Sequence, residues 1–154
     1  MIKPFFAFAS RLNSKISVDP GLVLEKEGRY FLLNKNLKNG VRKDFYYAGK
    51  YLGKTKKGKF FPSFVLLAML AETGANKVVV DEKAAWLFIC GRDIFREGIK
   101  VVHGSRRRGD FTLILNVHGE CLGFGRIRQD LSSKREDIAI QNVSDVGDFL
   151  RRER

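Results

Sequence analysis

Apolar residues recur along this chain in two rhythms, one suited to helices and one to strands. Phe5, Phe8, Ala9 and Leu12 fall at i, i+3, i+4 and i+7, a single helical stripe. Pro4 can open that helix, because its missing N–H has no partner in a first turn. Leu22 to Glu25 and Arg29 to Asn34 read as two strands joined by a turn at Lys26-Glu27-Gly28. Asn39-Gly40 marks another turn, followed by a strand around Phe45-Tyr46-Tyr47. A second helix starts at Pro62, with Phe64, Leu67, Ala68 and Ala71 as its stripe and Gly74 as its cap.

The remaining chain is strand-rich. Lys77 to Val80 reads as a strand, and Asp81 as the N-cap of a short, nearly all-buried helix from Glu82 to Cys90 that Gly91 closes. Ile99 to His103 is a strand. Phe111, Leu113, Leu115 and Val117 alternate with Thr112, Ile114 and Asn116, the pattern of a mostly half-buried strand. A turn at His118-Gly119-Glu120 leads into Cys121 to Arg128, where Gly123 and Gly125 permit a bend or bulge; Asp137 to Val143 is a further strand. Short strands with turns and one or two helical turns predict a small closed barrel. The fold class is therefore α+β, with an α+β domain over 1–75 packed against a β pseudo-barrel over 76–154. The junction at Gly74-Ala75-Asn76 is too short for a flexible tether.

Composition changes the picture mainly through charge. The 154 residues hold 29 Lys and Arg against 17 Asp and Glu, a formal net charge of +12. That excess favours a polyanion, nucleic acid ahead of an anionic membrane surface. It is uneven: residues 1–75 carry +9 and residues 76–154 carry +3. The longest apolar run, Phe64 to Ala71, has eight residues, whereas a membrane-spanning helix needs about 20. The apolar stretch Phe5 to Ala9 is too short for a secretion signal, and the two cysteines offer no disulfide framework, so an intracellular, cytoplasmic protein is expected.

Candidate chemistry is sparse. Cys90, His103, His118 and Cys121 include one His-x-x-Cys pair, but structural zinc wants two tightly spaced pairs, and Cys90 reads as a core residue. Both cysteines lie in apolar strings that disfavour a thiolate nucleophile. No G-x-x-x-x-G-K loop is present, and eight of the 17 acidic residues sit directly next to Lys or Arg, where surface pairing accounts for them. No catalytic residue, metal site or cofactor is expected, so the chain does not read as an enzyme.

Four basic clusters remain. They are Lys54, Lys56, Lys57 and Lys59; Arg106, Arg107 and Arg108; Arg126 with Arg128; and Arg151-Arg152-Glu153-Arg154. Arg126 and Arg128 lie two apart on one strand face, spaced for successive phosphates. Tyr46 and Tyr47 offer stacking planes to unpaired bases, or half-buried core.

The second half resembles a PUA domain, the small RNA-binding pseudo-barrel named from pseudouridine synthases and archaeosine transglycosylases. The likeness rests on Val78-Val79-Val80-Asp81, Ala85-Trp86-Leu87-Phe88, Gly91-Arg92-Asp93-Ile94-Phe95, Cys121-Leu122-Gly123-Phe124-Gly125 and Val146-Gly147-Asp148-Phe149-Leu150-Arg151-Arg152. With Phe60-Phe61-Pro62-Ser63 and the α+β first half, the whole is most similar to ribosome-biogenesis factors of the Nip-seven type in their short archaeal form. The likeness is strong over 60–154 and looser over 1–59.

The resemblance implies RNA binding without catalysis, in the maturation of large-subunit ribosomal RNA. Precursor ribosomal RNA is the expected partner, with a pre-ribosomal particle or other assembly proteins as further candidates, and a monomer is expected. It implies an RNA surface including Gly91 and Arg92 after the barrel's helix, and Arg151 and Arg152 at the C-terminus. The Lys54 to Lys59 loop and Arg106 to Arg108 rest on charge alone. Two alternatives stay open: a translation-factor-like PUA protein that binds tRNA on the ribosome, and an RNA-modifying enzyme or its accessory subunit. Phe149-Leu150 are expected to anchor a final strand, leaving Arg151 and Arg152 as exposed donors whose removal spares the fold. The lysine loop, without an apolar anchor, is expected to add charge but little geometry.

Overall fold

The computed structural model describes residues 3–40, 49–133, 135 and 137–152; the strand expected around Phe45-Tyr46-Tyr47 lies outside them. Helix α1 (Pro4–Arg11) buries Phe5, Phe8 and Ala9, and Leu12 just after it is fully buried, so the expected stripe is the packed one. β1 (Val23–Lys26) and β2 (Arg29–Leu32) form a hairpin through Glu27-Gly28. Where the Asn39-Gly40 turn was expected, a short helix α2 (Lys35–Gly40) occurs, its start held by Asn34 Oδ1 accepting from the Leu37 N–H at 2.7 Å. β3 (Lys50–Lys56) and β4 (Lys59–Pro62) complete a four-stranded sheet in the order β1-β2-β3-β4.

Helix α3 (Phe64–Ala71) begins two residues later than Pro62, which is the last residue of β4. Its N-cap is Ser63, whose hydroxyl accepts from the Leu66 N–H at 3.0 Å. The buried side is Leu66, Leu67 and Leu70, which keeps only Leu67 of the expected stripe, because an almost wholly apolar helix has no polar face to fix its rotation. Lys77 Nζ donates to the carbonyls of Ala71 and Thr73 at 2.7 and 2.9 Å, a cation on the helix's C-terminal end.

The second sheet has the order β6-β10-β9-β8-β5-β7, built from β5 (Lys77–Val80), β6 (Ile94–Phe95), β7 (Ile99–His103), β8 (Phe111–Leu115), β9 (Cys121–Ile127) and β10 (Ile138–Asp145). Among the described strands, only β5 and β8 run parallel. Helix α4 (Glu82–Ile89) is capped as expected by Asp81, whose carboxylate accepts from the Ala84 N–H at 2.7 Å. It is not nearly all buried, however: its buried residues are Ala84 and Phe88, Trp86 is 65% exposed, and Cys90 beyond it is exposed rather than core. The last element is also corrected. Residues 146–152 form a helix, α5 (Val146–Arg152), and not a strand, because Asp145 Oδ1 accepts from the Asp148 N–H at 2.9 Å and starts a turn.

β8 is buried at every position, not half-buried, because both sheet faces are covered. One face contributes Phe111, Leu113, Leu115 and Phe124 to a core shared with α1, α3 and the first sheet. On the other, Val78, Val80, Ile114, Ile127 and Ile140 pack with Phe88 of α4. Asn76, 1% exposed, bonds across the junction: its N–H donates to Leu12, its amide to the Phe111 carbonyl, and its Oδ1 accepts from Asn13 and the Ser105 N–H. The molecule is thus α+β, a four-stranded α+β part packed on a pseudo-barrel.

Candidate nucleic-acid interface

The loop after β7 and the chain after β9 are laced together by their backbones. The Gly109 N–H donates to the Ile127 carbonyl at 2.7 Å, the Ile127 N–H to Asp110 at 2.9 Å, and the Leu131 N–H to Arg106 at 2.9 Å. Leu131 is fully buried and pins the second segment to the core. The lacing brings the separate clusters around 106–108 and 126–128 to one end of the barrel. There Arg108, Arg128 and Arg135 line a polar cavity of about 330 Å³ with Gln129 and Gln141. Two carboxylates share it, each already accepting from a backbone N–H: Asp93 from Asn142 and Asp137 from Ile138. Among the described residues, no ion pair or side-chain hydrogen bond occupies the guanidinium groups of Arg106, Arg108 or Arg128. Arg107 differs, its Nε lying 3.8 Å from Asp110, which Ser105 also engages.

Arg126 parts company with Arg128. It is half-buried, pairs in register with Phe111, and its guanidinium lies 5.2 Å from that ring's centroid; Arg11 of α1 lies 3.9 Å from the same ring. Arg126 therefore belongs to the seam between the two halves, a cation–π contact rather than a free phosphate fork. Arg128 lies past the strand end, exposed, its N–H donating to Ala139 at 2.8 Å.

Gly91, Arg92 and Arg151 do come together. Gly91 holds a left-handed φ of +89°, and a Cβ there would meet the Arg151 guanidinium at 3.0 Å, so glycine makes room for the arginine. Arg151 is occupied: it donates to the Ile89 carbonyl at 2.7 Å and to both oxygens of Asp145 at 3.2 and 3.0 Å. Asp145, 2% exposed, also accepts from the Asn142 amide at 3.0 Å. The expectation that Arg151 is a spare donor at a strand end is thus corrected: it is a helical residue that neutralises a buried carboxylate. Arg92 is exposed, and Arg152 contributes the last turn of α5.

The Lys54 to Lys59 segment is a tight hairpin, not a loop without geometry. Lys57 and Gly58 occupy its turn with φ of +51° and +73°. Lys54 pairs with Phe61 and Lys56 with Lys59, so these four side chains share one face, while Phe60 lies on the other and packs with Phe8 and Tyr30. Phe60 thus anchors a hairpin that was expected to have no apolar anchor. Tyr46 and Tyr47 lie outside the described residues. Arg135 and the two glutamines escape sequence reasoning because no run of basic residues marks them.

Burial pushes the Cys121 thiol up to about 11, against a smaller lowering effect of its backbone hydrogen bond with Gly123, so it stays protonated at neutral pH. Among the described residues no three His, Cys, Asp or Glu side chains gather as a metal donor set, and no helix is long and apolar enough to cross a membrane.

Residues 76–154 match the family model described as the UPF0113 PUA domain. A UPF0113 protein of Archaeoglobus fulgidus is 29% identical over 113 residues, which cover 71% of this chain and 64% of that protein, so the match spans less than two thirds of that relative. A conserved PUA domain protein from Thermoplasma acidophilum superposes with a TM-score of 0.65 at 23% identity, over 96% of this chain and 90% of its own. A PUA domain from Aeropyrum pernix, in a tartrate complex, gives 0.52 at 24% identity over 60% of this chain and 55% of its own. At those identities the two structures speak for the fold.

Proposed function

The chain belongs to the UPF0113 PUA domain family, and from that premise we propose that it is a non-catalytic RNA-binding protein that acts in the maturation of large-subunit ribosomal RNA in the cytoplasm. The observation that carries the RNA reading is the convergence of Arg108, Arg128 and Arg135 on one polar cavity, the first two on segments held in place by backbone bonds. Planar guanidinium forks suit phosphate oxygens, and a pre-ordered loop loses less entropy on binding than a free tail. The ribosomal assignment is supported by the ordered motifs that resemble factors of the Nip-seven type. A half-buried Cys121 whose thiol stays protonated supports the non-catalytic part, since it supplies no thiolate.

Crosslinking in cells followed by sequencing of the bound RNA tests the partner, with precursor ribosomal RNA as the expected product. Recovery of mature initiator tRNA instead would overturn the ribosomal assignment, and modified nucleosides formed by the purified protein alone would overturn the non-catalytic one. Binding in vitro should be steeply salt-dependent. With about six to ten phosphates engaged, affinity falls about 10³–10⁵-fold between about 50 and 200 mM salt.

A further inference from the structure

Between the β3–β4 hairpin and the C-terminal part lies a cleft of about 530 Å³, lined by Tyr51, Phe61 and Phe64 on one side and Val143, Ser144 and Asp148 on the other. Its volume falls within the roughly 300–1,000 Å³ of small-molecule sites. Phe61 is 37% exposed, although its neighbour Phe60 is the residue that packs into the core. Two exposed lysines, Lys54 and Lys59, also line the cleft, and Lys59 Nζ lies 5.5 Å from the Phe61 ring centroid. Lys54, Lys56 and Lys59 share the face of Phe61, and none of the three makes an ion pair among the described residues. An aromatic plane beside uncompensated cations matches a ligand that is itself a π-face joined to an anion. An apolar peptide segment would leave that row of positive charge unanswered. The lysines set the orientation: base against Phe61, phosphates toward Lys54 and Lys59.

We infer that this cleft takes one unpaired nucleotide of the bound RNA, its base stacked on Phe61 and its phosphates on Lys54 and Lys59. The inference rests on the RNA-binding reading and extends the RNA path onto the N-terminal half.

The test is fluorescence anisotropy with the full chain and a labelled single-stranded RNA of about 12 nucleotides, at about 0.15 M salt. A second oligomer has the same length and phosphate count but is abasic throughout. Phe61→Ala is expected to weaken binding of the intact RNA roughly 5- to 150-fold, the range of one base–aromatic stack, and to leave the abasic oligomer's affinity unchanged. Phe61→Trp should restore or tighten binding of the intact RNA. Lys54→Gln with Lys59→Gln should weaken both oligomers alike and lower the salt slope by about 1 for each phosphate no longer engaged. If the unaltered protein binds the RNA but Phe61→Ala changes nothing, the cleft inference is overturned, the RNA reading stands, and the cleft is left to a protein segment. If the unaltered protein binds neither oligomer, the RNA reading itself fails and takes the cleft with it.

Discussion

The two basic surfaces of this molecule carry like charge in unlike settings. On the β3–β4 hairpin, lysines stand on an open sheet face beside an exposed phenylalanine. At the barrel's end, arginines on laced loops surround a polar cavity. Lysine is a compact point charge on a flexible stem, whereas arginine is a rigid planar fork. The first surface can follow a backbone and stack a base; the second can fix phosphate positions. A third group of cations is committed to the fold: Lys77 on the end of α3, Arg126 on Phe111 and Arg151 on Asp145. Net charge alone therefore overstates the surface available to a polyanion.

The largest expected effect separates the committed cations from the free ones. Arg151→Ala leaves the carboxylate of Asp145 buried with only the Asn142 amide and the Asp148 N–H. Removing one partner of a fully buried pair costs about 3–5 kcal/mol, but Arg151 is 43% exposed and solvent screens the contact, so about 2 kcal/mol is expected. Urea denaturation measures it. A loss under about 0.5 kcal/mol would place Arg151 back among the free arginines.

Next comes the arginine surface. Arg108→Gln with Arg128→Gln should lower affinity for single-stranded RNA about 10- to 30-fold and the salt slope by about 2, with stability within about 0.5 kcal/mol of the parent. Unchanged RNA affinity would leave the lysine hairpin as the dominant surface and erase the contrast between the two.

How much of this was legible in the sequence follows from where the information sits. The α1 stripe, the cap at Asp81 and the main strands of the barrel are local patterns, and they stand in the structure as read. The rotation of α3 was not legible, since Phe64 to Ala71 is apolar throughout and only its neighbours choose the buried side. α5 had a readable start in Asp145-x-x-Asp148, masked by the apolar pair Phe149-Leu150 that suggested a strand. In the site, the meeting of 106–108 with 128 depends on backbone bonds between segments about twenty residues apart, which no spacing rule encodes. The alternation of Phe60 and Phe61 did carry the signal for an outward aromatic, but only once the hairpin register was known.

The smallest expected effect is the most diagnostic of purpose, because binding and stability should move in opposite directions. Lys56 and Lys59 are direct partners across the hairpin, and like charges placed opposite each other destabilise a strand pair. Lys57 holds a φ of +51°, which asparagine accepts more readily than lysine, and the next residue is already Gly58. Lys56→Gln with Lys57→Asn should therefore relieve the repulsion and supply an Asn-Gly turn, raising stability by about 0.3–1 kcal/mol. The same change removes one charge from the face that leads to Phe61 and a second from the turn beside it. Affinity for single-stranded RNA should fall only about 2- to 5-fold at about 0.15 M salt, with a salt slope flatter by about 1, since no stacking plane or guanidinium fork is lost. A gain in stability with weaker RNA binding would identify these lysines as residues held against the interest of the hairpin for the sake of a polyanion. If stability falls instead, the lysines serve the fold; if it rises with RNA binding and its salt slope intact, the hairpin charge has no part in the RNA path.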